Sequence, residues 1–274
     1  MSTVVDSRTT LVALQGLKSA NADASRASER LATGLRINRA GDDPAGLAKA
    51  TALRAEVASY GQVKKNINNA LGQLGDVTTG VSTILDYLTE MRTIAMASAG
   101  ESDSAVRTNY QNQFAELITG IGEVVASVKF ADTAVLSAGG GTAVQVGINA
   151  ADTKTLTFSA ATASSLSVSS LSVGTVATAG AAITAIDSAI DTVGGHLATY
   201  GGYQKSLESY SDLADASILS KSSQYGEIMN ADLALEATNL AAAKIRQDAS
   251  TAVLAQANSM NRNIADYLLN GALG

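Results

Sequence analysis

Ile67-Asn-Asn-Ala70-Leu-Gly-Gln-Leu74-Gly-Asp-Val77-Thr-Thr-Gly-Val81-Ser-Thr-Ile84-Leu-Asp-Tyr-Leu88-Thr-Glu-Met91-Arg-Thr-Ile-Ala95 places an apolar residue at alternating steps of three and four. Four heptads keep that register, which is the pattern of a long helix pairing with other helices. Upstream, Asp43 offers an N-cap and Pro44 a first helical position, where its missing N–H costs nothing. A helix from Pro44 to about Ser98 would be roughly 80 Å long at 1.5 Å per residue, too long for a compact globule. Gly100 and the Glu101 to Ser104 cluster make a turn. A third stripe follows at Tyr110, Phe114, Leu117, Ile121, Val124 and Val128.

From Ala131 the pattern changes. Gly139-Gly-Gly141 reads as a turn, and Val144-Gln-Val146 with Leu156-Thr-Phe158 reads as a β-hairpin around a 149–154 loop. Residues 159–180, mostly Ser, Thr, Ala and Val, read as a short extra hairpin or a loose linker. Helix returns at about Ala181, with Ile183, Ile186, Ile190, Val193, Leu197 and Tyr200 at heptad spacing, then Leu207, Tyr210 and Ala214. The chain therefore runs out along helices, turns through a β region at about 139–180, and comes back along helices. The fold class is mainly α: a long antiparallel bundle of N- and C-terminal segments with a small β-hairpin region.

The two ends carry their own stripes: Leu14, Leu17, Asn21, Ala24, Ser28, Leu31 and Leu35 at the start, and Val253, Ala257, Met260, Ile264 and Tyr267 at the finish. Chain ends ordinarily fray, and an apolar stripe there must bury itself on something. Contacts that repeat head to tail without closing make a filament. This points to Leu14, Leu17, Leu31, Leu35, Val253, Ala257, Met260, Ile264 and Tyr267 as self-assembly residues.

Composition narrows the function classes. The 274 residues contain no Cys and no Trp, one Pro and one His, and the formal net charge is -6. Thiol nucleophiles and two-histidine metal sites are excluded, so no catalytic, cofactor or metal residues are assigned. The lone His196, beside Gly194-Gly195, reads as a solvent-facing helix residue. Asp42-Asp43 could be paired carboxylates, but Pro44 directly after them favours a helix start, where negative charge is stabilising. Lys64-Lys65 reads as ordinary solvated surface, and an acidic chain without basic runs does not suggest a nucleic-acid partner. No run of about 18 uninterrupted apolar residues suggests a membrane span. Asp6 and Arg8 leave no basic region typical of a cleaved signal peptide.

Arg26-Ala-Ser-Glu-Arg-Leu31-Ala-Thr-Gly34-Leu-Arg-Ile-Asn38-Arg-Ala-Gly-Asp42-Asp-Pro-Ala-Gly46-Leu-Ala48 and Ser250-Thr-Ala-Val-Leu-Ala-Gln256-Ala-Asn258 closely resemble the terminal motifs of bacterial flagellins. The likeness covers about the first 130 and last 90 residues. It implies an inner helical layer made by 1–43 with 231–274 and an outer helical bundle over 44–230, with almost no variable outer domain. It also implies a structural, non-enzymatic subunit of the flagellar filament, the propeller for motility. Its principal partner would be itself, in an open helical homopolymer. The resemblance further implies a flagellar export apparatus, a secretion chaperone, and filament cap and junction proteins as partners. The location implied is extracellular, on the flagellum, reached without a cleaved signal peptide. The alternatives are the hook–filament junction protein of the same family and, from another class, a secreted coiled-coil effector or adhesin. Ser164, Ser165, Ser167, Ser169, Ser170 and Ser172 are either loop polarity or, by resemblance, sites for O-linked sugars. The segment similar to the family's Toll-like-receptor contact surface contains Glu90, Arg92 and Ile94, with Gln113 on the facing helix. Glu90 stands where an arginine is usual and Gln113 where a glutamate is common, which implies weak receptor activation.

Overall fold

The computed structural model describes the backbone from residue 2 to residue 271, and side-chain surroundings for residue 8 and residues 10–263. Its elements in order are α1 (Ser2–Thr33), α2 (Pro44–Gly100), α3 (Ser104–Ser127), α4 (Val135–Ala138), β1 (Gly140–Gln145), β2 (Thr153–Phe158), α5 (Val176–Met229) and α6 (Leu233–Gly271). They form two compact units: residues 1–55 with 221–274, and residues 56–220. The divisions fall inside α2 and α5.

The 56–220 unit is built on large side chains. Ile67, Leu74, Val81, Ile84, Leu88 and Met91 of α2 are fully buried with Phe114 and Ile121 of α3 and Ile186, Val193, Tyr200 and Leu207 of α5. Burying each such side chain contributes about 1.5–3 kcal/mol, which accounts for the persistence of the helices through Gly194-Gly195 and Gly201-Gly202. Two ion pairs fix the antiparallel register of α2 and α5. Lys64 Nζ meets Asp215 at 2.6 Å and Arg92 Nε meets Asp187 at 2.5 Å. Their members stand four heptads apart on each helix, in opposite senses. Lys64 is thus a partnered residue, not bare solvated surface. One 18-residue window of α5 has a mean hydropathy of 1.2, the length and composition of a membrane span. Within the helix Ala179, Ala182, Ile186, Ala189 and Val193 are buried in the bundle core.

Asp103 caps α3 by accepting from Ala105 N at 2.8 Å. The hairpin is a two-stranded antiparallel sheet that pairs Gly140 with Phe158 and Gln145 with Thr153. Gly140 and Gly141 therefore belong to β1, and only Gly139, at φ 73°, serves as the turn. Along β2, Thr157 N and Ser159 N donate to the hydroxyls of Tyr203 and Tyr200 on α5, and Phe130, Phe158 and Tyr200 pack ring to ring.

Residues 159–175 are neither a second hairpin nor a loose linker. They run as successive turns, anchored by buried Ala161, Leu166, Val168 and Val173. The buried Ser98 hydroxyl donates to Val173 O, and Gln111 Oε1 accepts from Val173 N at 2.6 Å. Here the weak alternation of apolar residues reflects docking onto the bundle, not strand pairing. His196 is half-buried rather than fully solvent-facing. Its ring lies 6.3 Å from that of Tyr200, and its Nδ1 is buried without a hydrogen-bond partner, so burial pushes its pKa down.

The 1–55/221–274 unit is built on small side chains. α1 and α6 run closely together, with many Cα pairs within 8 Å, whereas the long helices of the other unit are held further apart by their larger residues. The buried positions of α1 are Ala13, Ala20 and Ala27, facing Ala243 and Ala257 of α6. A side chain at Gly16 would meet Ser250 Oγ at 3.3 Å. The α1 seam therefore lies one residue away from the expected stripe at alternate positions: Leu14, Asn21 and Ser28 are exposed, while Leu17, Ala24, Leu31 and Leu35 are half-buried.

Candidate assembly interface

The connectors at the top of the α1–α6 pair are held by short-range chemistry. Gly34 ends α1 at φ 71°, a left-handed conformation that suits glycine. Gly34 O accepts from Ala231 N at 2.9 Å and Arg36 N donates to Met229 O at 2.6 Å, so Leu35 bridges Asn230. The Arg36 guanidinium also reaches Ile228 O at 2.7 Å. Asp42 Oδ2 accepts from Asn38 N and Arg39 N, and these two backbone donors hold its carboxyl below the usual range. Asp43 Oδ1 accepts from Gly46 N at 2.8 Å, capping α2. Asp43 thus builds the helix start, whereas Asp42 closes the 38–42 turn that leads into it. Ile37, Ala50 and Met229 form a small core beneath.

Further along, a polar cluster links α1 to α6. Arg30 Nη1 meets the buried Glu236 Oε1 at 2.8 Å, while Asn239 approaches Oε2 at 3.3 Å. Arg30 is the main cause that lowers the Glu236 pKa. Asp23 is shared by Arg26 at 2.6 Å and Arg246 at 3.1 Å, and its pKa is lowered chiefly by the Arg26 hydrogen bond. These residues escaped the sequence reading. Arg30 and Glu236 are 206 residues apart, and nothing local marks them as partners.

The outward face of the pair carries exposed apolar side chains among its polar ones. Leu11 is 63% exposed, Val12 70%, Leu14 55%, Ile245 69%, Val253 50% and Met260 49%. An apolar groove of about 530 Å³ lies between the helices, lined by Arg8, Val12, Ala13, Gly16, Ala249, Ser250 and Val253. Among the expected assembly residues, Leu14, Val253 and Met260 are offered outward. Ala257 is not, because it is spent in the seam within the chain. Ile264 and Tyr267 lie outside the described side chains. On the surface similar to the receptor contact, Glu90 and Gln113 are exposed. Arg92 is engaged by Asp187, and Ile94 is packed into the bundle core rather than presented. Among the described residues, no group of three or more His, Asp or Glu gathers to hold a metal.

A helix pair with alanine inside and leucine, valine, isoleucine and methionine outside is a component of a larger protein assembly. The bacterial flagellin N-terminal helical region matches residues 6–140 and the C-terminal helical region matches residues 183–268. The flagellar filament 30.7 kDa core protein of Treponema maltophilum is 28% identical over 259 residues, covering 88% of this chain and 90% of that protein. The flagellin of Listeria monocytogenes is 29% identical over 261 residues, covering 88% and 91%. The flagellin of Halalkalibacterium halodurans is 26% identical over 247 residues, covering 89% and 91%. This chain belongs to the bacterial flagellin family, whose members are structural proteins and not enzymes.

Proposed function

We propose that the chain is a structural subunit that polymerises into the extracellular flagellar filament, the helical propeller for motility. The observation that carries this reading is the inverted packing of α1 and α6, which leaves Leu14, Val253 and Met260 outward, with Val253 lining an apolar groove between the helices. Residues 1–43 with 231–274 then form the inner layer, and copies bury their outward faces against one another. Residues 44–230 form the outer bundle. Family membership supports export without a cleaved signal, with the export apparatus and a secretion chaperone, followed by assembly between junction and cap proteins. Exposed Glu90 and Gln113 support weak engagement of the Toll-like receptor.

The test is removal of residues 231–274. The shortened chain is expected to stay folded and soluble, because the large-residue core lies outside the deletion. It should also fail to sediment after filament seeds are added, under conditions where the full chain forms filaments visible by electron microscopy. Filaments of the shortened chain would overturn the inner-layer assignment.

A further inference from the structure

Oxidisable sulfur is sparse in this chain and unevenly placed. There is no cysteine, and there are five methionines. Met91 is fully buried in the core of the 56–220 unit, and Met229 is buried in the small core beneath the connectors. Met1 lies outside the described side chains. Met96 on α2 is 52% exposed, and the Arg92 guanidinium donates to its sulfur at 3.6 Å. Met260 on α6 is 49% exposed, and no hydrogen bond among the described residues reaches its sulfur. Its position sets it apart. Met260 stands seven residues after Val253, on the same stripe of α6 and about 10 Å further along it. Val253 lines the apolar groove between α1 and α6, and Ala257, between the two, is buried in their seam. The Met260 thioether therefore stands at the edge of that seam, on the face that copies bury against one another.

We propose that Met260 is a modification site, and that oxidation of its thioether to the sulfoxide by hydrogen peroxide withholds the unassembled chain from polymerisation. The inference rests on the subunit reading above. In the free chain the sulfur is open to solvent, as oxidation requires. Its lone pair attacks one peroxide oxygen, the O–O bond breaks, and the proton on the transferred oxygen passes to the departing hydroxide, which leaves as water. Sulfur is oxidised and peroxide is reduced, with no further reactant. The product is polar and chiral where the thioether was apolar and adaptable. In water the new oxygen is hydrated. Pressed into an apolar contact with a neighbouring copy it loses that water, and the contact weakens. The same change at Met96 falls on the other unit and leaves the α1–α6 face as it was, while burial shields Met91 in the bundle core.

The full-length chain and its Met260→Leu and Met96→Leu variants, which conserve side-chain volume, would be treated as monomers with millimolar hydrogen peroxide. Mass spectrometry of the peptides then measures sulfoxide at each methionine, and seeded polymerisation gives the critical concentration. Peroxide is expected to raise that concentration by roughly tenfold for the natural chain and for Met96→Leu. Met260→Leu should stay close to its untreated value, and the circular dichroism of all three monomers should be unchanged by treatment. Methionine sulfoxide reductases with a thiol reductant should restore the treated natural chain, and Met260→Gln should polymerise poorly without any peroxide. Normal assembly of natural chain whose Met260 is fully converted would overturn the proposal while leaving the subunit reading intact. So would an equal loss in treated Met260→Leu, or sulfoxide forming at Met260 as fast in filaments as in monomers. Failure of the untreated natural chain to polymerise would overturn both.

Discussion

The helix packing in residues 56–220 and the α1–α6 pair use the same heptad grammar with opposite vocabularies. In the first, Ile84, Leu88, Phe114 and Leu207 fill the seam and polar residues face out. In the second, Ala13, Ala20, Ala27, Ala243 and Ala257 fill the seam, and Leu14, Ile245 and Val253 face out. Small seam residues let backbones approach closely, but each alanine buries little more than a methyl group, worth about 0.8 kcal/mol. Ordering one residue costs about 1–2 kcal/mol of backbone entropy. The α1–α6 pair therefore depends for its stability on burial of its outer face, while the large-residue bundle holds itself together. On the assembly reading proposed above, stability and assembly fall to different surfaces of one chain.

The sharpest way to break this division is to put a large residue into the small seam. Ala20→Leu adds a branched side chain at a site with no exposure, which forces α1 and α6 apart. Polymerisation should be lost altogether, while the thermal transition of the 56–220 bundle stays where it was. Seeded sedimentation and circular dichroism measure the two outcomes. An Ala20→Leu chain that still polymerises would show that close approach of the two helices is not needed for assembly.

The converse change removes a large residue from the large seam. Ile84 is completely buried among α2, α3 and α5 residues, so Ile84→Ala should destabilise the monomer by about 2–5 kcal/mol. Denaturant unfolding should show a lower midpoint, and polymerisation under stabilising conditions should survive. A loss below about 1 kcal/mol would mean that the bundle collapses around the cavity and is softer than its packing implies.

How far each unit was legible in the sequence follows from the same contrast. Large apolar residues at steps of three and four mark a helix face clearly, so the stripe of α2 was readable residue by residue, while in α3 and α5 the buried seam also takes Val125, Ala182 and Ala189 and leaves Val124, Ile183 and Ile190 half-buried. The start of α2 was readable because Asp43 and Pro44 act on their own neighbours. In α1 the bulkier side chains marked a stripe through Leu14, Asn21 and Ser28, which the fold leaves exposed, and the seam within the chain is made by Ala13, Ala20 and Ala27, which that stripe did not contain. A chain rich in alanine gives no local sign of which alanines are buried. The expectation of a solvent-facing His196 holds only in part, because the ring leans on Tyr200 one turn along α5 and its Nδ1 is buried. Pairings such as Arg30 with Glu236, or Val173 with Ser98 and Gln111, exist only once the chain has doubled back.

The smallest effect separates the units by pH. In residues 56–220, burial lowers the His196 pKa from 6.5, and the buried Nδ1 has no acceptor for a proton. The unfolded chain therefore takes up a proton on this ring at higher pH than the folded one does. Stability is full above 6.5 and declines as pH falls from there through the lowered folded value. Tyr200, the ring neighbour of His196, has its pKa raised from 10.0 and stays neutral throughout this window. In the other unit, Arg30 lowers the Glu236 pKa from 4.5, so its contribution is present above 4.5 and fades only as pH falls below that. Between pH 6.5 and 5 the bundle should lose stability through His196 while the Arg30–Glu236 link is unchanged. His196→Phe keeps the ring's packing beside Tyr200 and removes the titration. Melting temperatures measured across this range should fall for the natural chain and stay nearly level for the variant. Identical slopes for the two would mean that the folded protein accepts a proton on His196 as easily as the unfolded chain does.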